Sequence, residues 1–230
     1  MTTPETDPRA RILDAALLHV PFDGWSEATL AAAARDAGVE RALARSLFPR
    51  GPRDLALAYH RRGDARMADA LRAEPRRDLR FRDRIAHAVR TRLQQSDREA
   101  VRRGATLFSL PQNAADGARS LWETADAIWT ALGDSSDDLN WYSKRASLAG
   151  VYGSTVLFWL GDDSAGQAET WAFLDRRIED VMRIEKAKAA VAANPLGRAL
   201  SAPLGWAASK VRPPMRMPVT DLPGSWTPPR

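Results

Sequence analysis

The hydrophobic and polar residues of the chain follow a helical period over most of its length. In the first stretch the apolar residues lie three or four positions apart, and Pro21 with Gly24 follows them, so we expect this helix to end at Val20. The same spacing predicts further helices at about 26–35, 40–47, 53–73, 97–110, 116–132 and 138–160, one around 79–93, and one that begins at Ser164. Gly161 is expected in the left-handed conformation after Leu160.

No segment of useful length alternates apolar and polar residues, so no β-hairpin is predicted. After Asn194-Pro195 there is one more amphipathic stretch, and a proline-rich tail over 213–230 is expected to be disordered. The pattern therefore predicts an all-α protein of about ten helices, in which three short N-terminal helices precede six long ones.

Composition narrows the chemistry that the chain can perform. The 230 residues are 44% hydrophobic and 27% charged, which is typical of a folded domain. Because there is no cysteine, disulfides, thiolate metal sites and cysteine nucleophiles are excluded, and three histidines make a histidine-rich metal centre a poor hypothesis. The net charge of +5 predicts an anionic partner, either nucleic acid or a membrane surface.

The charge is divided into three regions of different sign. Residues 1–110 carry 21 basic and 15 acidic residues, residues 111–185 carry 6 basic and 13 acidic residues, and residues 186–230 carry 7 basic residues and one acid. We therefore expect the three regions to meet different partners.

The N-terminal third contains a helix-turn-helix pattern. Residues 9–59 read as two helices, a tight turn at Ala37-Gly38-Val39, a short helix that ends at Phe48-Pro49, and a long helix. This resembles the DNA-binding unit of TetR-type repressors, in which the second helix of the pair enters the major groove. Here that helix begins with Glu40, which would repel phosphate, so we expect the unit to survive as a scaffold without sequence-specific DNA binding.

Residues 109–186 carry a more specific pattern. Its distinctive elements are Leu110-Pro111, Asn113, Asp126, Ile128-Trp129, Gly133-Asp134, Asp138, Asn140-Trp141-Tyr142, Lys144-Arg145, Val151-Tyr152, Ser154-Thr155, Thr170-Trp171, Phe173-Leu174 and Arg176-Arg177. With these elements the segment resembles the ubiquinone-biosynthesis accessory family of TetR-fold lipid-binding proteins, in its alphaproteobacterial and mitochondrial form. The resemblance implies a TetR-like bundle that binds isoprenoid quinone intermediates without catalysing a reaction and forms a homodimer through its two long C-terminal helices.

Trp141 and Tyr142 are adjacent, so on a helix they point about 100° apart and at least one of them is expected at the surface. An exposed aromatic residue with polar neighbours is typical of a protein interface. The resemblance implies that the partner is the di-iron demethoxyubiquinone hydroxylase. We assign the contact to Asn140, Trp141, Tyr142 and Arg145.

Eight aromatic residues lie between Trp129 and Phe173. Such a set can fill a core, which we favour for Trp129 and Trp171, or it can line a cavity for a lipid. The predicted lipid-binding residues are Leu148, Tyr152, Phe158 and Trp159.

The amphipathic stretch over 195–211 is basic, with an apolar arc flanked by Trp206 and Lys210. This pattern is typical of a helix that lies on an anionic membrane surface. The alternative is a terminal helix that docks on the bundle through the same apolar arc. The predicted membrane-contacting residues are Leu196, Leu200, Leu204, Trp206 and Lys210.

Two pairs at i,i+4 spacing, His60 with Asp64 and Asp83 with His87, have the residue types of metal ligands. Arginines crowd both pairs, so surface ion pairs are the preferred interpretation, and His19 is expected to interact with the end of its helix. No nucleophile elbow, P-loop or dinucleotide motif is present. We therefore predict a protein that is not an enzyme and that needs no cofactor or metal.

The domain organisation follows from these segments. We expect a helix-turn-helix-like unit over 1–52, a lipid-binding and dimerisation bundle over 53–190, a membrane helix over 195–211 and the tail over 213–230. The N-terminus has no secretory signal pattern, so the protein is expected in the cytoplasm, peripherally bound to the inner membrane. The alternative hypothesis is a TetR-type transcriptional repressor with an aromatic or lipid ligand pocket.

Overall fold

A computed structural model describes residues 7–134, 136 and 139–193, apart from the side chains of 139, 140, 185 and 187–193. Within these residues the chain forms nine α-helices and no strand, which confirms the all-α prediction. Short 3₁₀ turns precede α7 and α9. The helices are α1 Pro8–Asp23, α2 Glu27–Asp36, α3 Arg41–Leu47, α4 Pro52–Ala73, α5 Phe81–Gln94, α6 Arg98–Ser109, α7 Ala114–Ala131, α8 Leu139–Gly161 and α9 Ala168–Ala193.

Helix α1 runs past the proline at which we expected it to end. Pro21 lies inside the helix, and the chain leaves the helical conformation only at Gly24, which has φ +64°. Proline has a helical φ but no N–H to donate to the carbonyl four residues before it, so the helix continues through Pro21 without that hydrogen bond and ends only at the positive φ of Gly24. At the other end, the Asp7 side chain accepts a hydrogen bond from the backbone N–H of Arg9 at 2.9 Å.

The first three helices share a core with residues well beyond them in sequence. Ile12, Leu30 and Phe48 are buried together with Leu55 of α4 and Ala100 of α6. The hydrophobic core of the N-terminal unit therefore crosses the expected boundary at residue 52 and includes the start of the long helices.

A second core lies between α4, α5, α7, α8 and α9. Trp129 is buried in this core, as predicted, whereas Trp171 is half-buried at its edge beneath the Arg90 guanidinium. Helices α7, α8 and α9 each contribute one apolar face to this core.

Two local expectations were wrong. Gly161 remains the last residue of α8, and the left-handed glycine of the following turn is Gly166, with φ +62°. The turn is closed by the Asp162 carboxylate, which accepts hydrogen bonds from the backbone N–H groups of Ser164 and Thr170, both at 2.8 Å. His19 pairs with Asp36 of α2 at 2.7 Å instead of interacting with the end of its own helix.

No helix in the described part of the chain combines the length and the apolar character that crossing a membrane requires. The predicted membrane residues Leu196, Leu200, Leu204, Trp206 and Lys210, and the tail over 213–230, lie outside the described residues.

Candidate functional site

A cavity of about 380 Å³ lies between α4, α5, α6, α7 and α8. Its walls are mainly apolar, with Val101 and Phe108 from α6, Leu121 from α7 and Val156 from α8. The N-terminal unit closes one side through Trp25, whose indole N–H donates to the carbonyl of Ala100 at 3.0 Å. A mainly apolar space of this size is typical of small-molecule and lipid-binding sites.

Glycines on α7 and α8 allow these two helices to approach their neighbours closely along the cavity. A Cβ atom at Gly117 would lie 2.9 Å from Cβ of Phe108, and one at Gly153 would lie 3.0 Å from Cδ1 of Leu121. Since Gly153 is one of the cavity-lining residues, its lack of a side chain also keeps the space open.

The cavity opens to solvent between the end of α6 and the start of α7. Ser109, Ala114 and Ala118 line it and are exposed, and Leu157 of α8 lines it with 67% of its surface exposed. An apolar side chain with this much exposure at a cavity rim is a contact that an incoming apolar ligand can cover.

The opposite part of the cavity is polar. Arg92 is 2% exposed and donates from Nε to Asp64 Oδ1 at 2.8 Å. The same guanidinium donates to the Ser96 hydroxyl at 2.6 Å and to the His60 carbonyl at 3.0 Å. Its position depends on Gly63, since a Cβ atom there would lie 2.5 Å from Cζ of Arg92.

Two groups beside this ion pair remain uncharged near neutral pH. Burial lowers the pKa of the His60 imidazole, and the His60 ring lies 2.7 Å from the hydroxyl of Thr124. Burial also raises the pKa of the Tyr152 phenol. The expected surface pair of His60 and Asp64 is therefore wrong, because α7 covers both side chains and joins them to a buried network.

A separate group of three aromatic rings lies where α7 meets α8. The ring centroid of Trp122 lies 5.9 Å from that of Trp141 and 6.3 Å from that of Tyr142, and the Trp141 and Tyr142 centroids are 4.7 Å apart. All three residues are half-buried. We call these three residues the aromatic patch.

Both the cavity and the aromatic patch depend on α7 and α8. These two helices lie within the segment that matches a family model. Residues 114–185 match the family model described as COQ9. Residues 114–185 belong to the COQ9 family. The family predicted from the sequence is thereby confirmed.

Curated COQ9 proteins extend the similarity beyond this segment. The chain is 36% identical over 186 residues to the mitochondrial ubiquinone biosynthesis protein COQ9 of Rattus norvegicus, covering 76% of this chain and 58% of that protein. The Homo sapiens COQ9 protein is 33% identical over 186 residues, with 76% and 57% covered. The chain thus spans less than three fifths of the length of these relatives.

The fold also resembles a solved structure, the TetR transcriptional regulator from Nitrosomonas europaea ATCC 19718. The TM-score is 0.61 at 22% sequence identity, and the match covers 75% of this chain and 97% of the regulator. This confirms the TetR-like fold and carries no information on ligand or DNA binding.

The structure brings one of the four predicted lipid-binding residues to the cavity wall. Tyr152 lines the cavity, whereas Leu148 and Trp159 are buried in the second core. Phe158 stacks on Phe173, with ring centroids 4.6 Å apart. Most lining residues come from α6 and α7, whose long-range packing no local pattern revealed, and the glycines were the strongest available signal.

The predicted partner residues separate into a surface pair and a buried cation. Trp141 and Tyr142 belong to the aromatic patch, together with Trp122. Arg145 was expected at the surface, but its side chain is 1% exposed and pairs with Asp126 at 2.6 Å and Asp134 at 3.1 Å. The side chain of Asn140 lies outside the described residues.

Asp134, one of the two acidic partners of Arg145, is held in its ionised form by its neighbours. Burial raises the pKa of Asp134, but hydrogen bonds from Lys144, Ser136 and Arg145 outweigh it and lower that pKa to about 2. The cations beneath the aromatic patch are therefore balanced by an ionised carboxylate at neutral pH.

Helix α3 is the helix that would contact DNA in a repressor, and its exposed polar residues are Arg41, Arg45 and Ser46. Helix α3 is seven residues long, and its Arg45 pairs with Glu27 of α2 at 2.8 Å. Among the described residues, no group of three or more acidic or histidine side chains is placed to hold a metal ion.

Proposed function

We propose that this chain is a non-catalytic, lipid-binding accessory protein of ubiquinone biosynthesis. It binds polyprenylated aromatic intermediates at the membrane and presents them to the di-iron demethoxyubiquinone hydroxylase, with no cofactor of its own. The observation that carries the proposal is the apolar cavity of about 380 Å³, in a chain related to proteins named for ubiquinone biosynthesis.

The shape of the cavity supports a ligand with a long apolar tail. The walls are apolar, and the mouth is open between Ala114, Ala118 and Leu157, so a tail longer than the cavity can continue outside the bundle. Burial of apolar surface stabilises such a complex by about 25 cal/mol for each Å² removed from water.

The aromatic patch supports a protein partner at a second surface. Tryptophan, tyrosine and arginine are the residues that most often dominate the binding energy of interfaces. Trp122, Trp141 and Tyr142 lie together, and the Arg145 guanidinium lies 4.0 Å from the centroid of Trp141 and orients that ring. In this proposal the aromatic rings contact the hydroxylase, and Arg145 acts from beneath them as a positioning residue.

The remaining parts of the proposal concern assembly. The segment over 195–211 would hold the protein on an anionic inner-membrane surface, through Leu196, Leu200, Leu204, Trp206 and Lys210. Helices α8 and α9 would form the homodimer, in which Met182 and Ile184, 39% and 54% exposed, would be covered.

Lipid binding is tested by extracting purified full-length protein with organic solvent and identifying the released molecules by mass spectrometry. Isoprenoid quinone intermediates are expected. The variant Ala118→Trp, which places an indole at the cavity mouth, should release at least tenfold less. Ala115→Trp, on an exposed position of the same helix away from the cavity, should match the wild type. An extract without lipid, or equal loss in both variants, contradicts the proposal.

Partner binding is tested by co-purification with the hydroxylase. The double variant Trp141→Ala with Tyr142→Ala should lose most of the captured hydroxylase while retaining its helical circular dichroism signal. Phe22→Ala is the matched control, because Phe22 is an 84% exposed aromatic residue on α1, in the N-terminal unit. Unchanged capture by the folded double variant would contradict the assignment.

The TetR-like fold keeps a transcriptional repressor as the second candidate function. It would require sequence-specific DNA binding through α3, in which Glu40 precedes the helix and Arg45 is paired with Glu27. Selection of bound sequences from a random DNA pool distinguishes the two. Recovery of a shared operator sequence, bound at physiological salt, would favour the repressor.

A further inference from the structure

The polar part of the cavity has no net charge. Arg92 and Asp64 form a buried ion pair, with side chains 2% and 9% exposed, so their charges cancel. Beside them, burial favours the neutral forms of the His60 imidazole and the Tyr152 phenol. Arg92, His60 and Tyr152 also line the cavity, so a ligand meets polar groups there without a net charge.

These groups retain hydrogen-bonding capacity. A guanidinium has five N–H groups, and the contacts with Asp64, Ser96 and the His60 carbonyl use three of them. Tyr152 adds a hydroxyl that is both donor and acceptor, and Ser120 contributes to the adjoining wall. The polar part of the cavity can therefore donate to a carbonyl oxygen or accept from a hydroxyl group.

We propose that this polar end, formed by Arg92, His60 and Tyr152, binds the uncharged, oxygen-bearing head of an amphiphile whose tail leaves through the mouth. This inference rests on the proposed function and adds the orientation and head-group class of the ligand. The head enters first and lies between α4, α5 and α8, and the ligand class is a ring that carries carbonyl or hydroxyl groups.

Charge excludes the main competing head groups. The single cation at this end is already paired with Asp64 at 2.8 Å, so a phosphate or carboxylate would bring an uncompensated negative charge beside a buried carboxylate. Burying an unpaired charge is far less favourable than burying a neutral, hydrogen-bonded oxygen. An anionic amphiphile should therefore leave its head in water and gain nothing from the polar end.

The distances along the helices fit this orientation. On α7, Ser120 near the polar end and Ala114 at the mouth are six residues apart, which corresponds to about 9 Å of helix. A ring can occupy the polar end while its tail passes the apolar side chains of Phe108 and Leu157 to the mouth.

The test uses three probes with the same short tail: pentyl-benzoquinone, pentylbenzene and pentyl phosphate. Isothermal titration calorimetry with the full chain should give a dissociation constant for the quinone at least tenfold lower than that for the phosphate. The variant Tyr152→Phe should weaken quinone binding about threefold to tenfold, as expected for one lost hydrogen bond, and leave pentylbenzene binding unchanged. Ser154→Ala, on the same helix but outside the cavity lining, should change neither value.

The possible outcomes separate this inference from the proposed function. If the quinone and pentylbenzene bind, but Tyr152→Phe leaves quinone binding unchanged or the phosphate binds as tightly as the quinone, the head-first inference is overturned and lipid binding in the cavity stands. If none of the three probes binds, both are overturned. Equal unfolding temperatures of Tyr152→Phe and the wild type exclude a folding defect as the cause of weaker binding.

Discussion

The guanidinium carbon of Arg145 lies 4.0 Å from the centroid of the Trp141 ring, and Arg145 also donates a hydrogen bond to the backbone carbonyl of Trp141 at 3.2 Å. The two residues are one turn apart on α8. Because Arg145 is held from the other side by Asp126 and Asp134, the orientation of Trp141 is linked to a buried ionic network. A residue that the sequence placed at the partner surface thus acts one layer below it.

Replacing Arg145 should destabilise the fold strongly. In Arg145→Met the carboxylate of Asp134 keeps Lys144 but loses its buried guanidinium, and removing one partner of a buried ion pair costs about 3–5 kcal/mol. Arg145→Lys should recover only part of this loss. The lysine keeps the positive charge, but its ammonium lacks the fork of donors with which the guanidinium reaches both carboxylates. Urea unfolding measures both values. Arg119→Met, at an exposed position of α7, is the control, and an equal effect there would contradict the role of the network.

Asp134 should make the protein sensitive to acid. Although burial raises its pKa, hydrogen bonds from Lys144, Ser136 and Arg145 lower it to about 2, from 3.8 in the unfolded chain. A depressed folded pKa contributes stability above the unfolded value and loses it as the pH falls through the folded value. Asp134 should therefore contribute about 2 kcal/mol at neutral pH, lost between about pH 4 and pH 2.

The variant Asp134→Asn tests whether the loss of stability in acid originates at Asp134. Its unfolding free energy should change less than that of the wild type between about pH 4 and pH 2. Asp163→Asn, at a side chain that is 97% exposed, should retain the wild-type dependence. Parallel curves for the wild type and Asp134→Asn would mean that other carboxylates control acid unfolding.

His60 should remain neutral in the folded protein at pH values where a free imidazole is half protonated. Burial lowers its pKa below 6.5, so the unfolded chain binds a proton first as the pH falls. The contribution of neutral His60 to the free energy of unfolding is therefore fully present above about pH 6.5 and decreases below it. Titration of the ring signals by NMR should show His60 protonated at lower pH than 6.5. A midpoint at or above 6.5 would contradict the buried network.

Gly63 and Gly150 offer a matched pair of helix substitutions. Gly63→Ala should destabilise the protein by about 1–3 kcal/mol, because the new methyl group would lie 2.5 Å from Cζ of the buried Arg92. Gly150→Ala should raise stability by about 0.5–1 kcal/mol, since a Cβ atom there meets nothing within 4 Å and alanine favours a helix. Thermal unfolding of both variants measures the difference, and equal shifts of the same sign would be inconsistent with this account.

Much of the fold could be predicted because its causes are local. The Ser26 side chain accepts from the backbone N–H of Thr29 at 3.1 Å, and Asp97 accepts from that of Ala100 at 2.7 Å, so both caps begin helices where the sequence indicated. Pro21 was misread because a single proline removes one backbone hydrogen bond but does not by itself force the helix to end at the residue before it. The bounds of the helices otherwise follow from residues within one or two turns.

The sites were harder to predict, because burial depends on residues far apart in sequence. Asp64 and Arg92 are 28 positions apart, and His60 meets Thr124 across 64 positions. Considered on its own helix, each of Asp64, Arg92 and His60 looks like part of a solvated charged face. Only the packing of α4 against α5 and α7 removes them from water and turns them into the polar end of a cavity.

By itself, the sequence determined the helices, the all-α class and the relationship of residues 114–185 to the COQ9 family, since these depend on short-range spacing and residue identity. The tertiary structure alone decided that Trp25 closes the cavity, that Tyr152 lines it while Leu148 and Trp159 fill the core, and that Arg145 is buried. The physical reason is that helical periodicity defines which side chains share a face, whereas solvent exposure is set by the element that packs against that face.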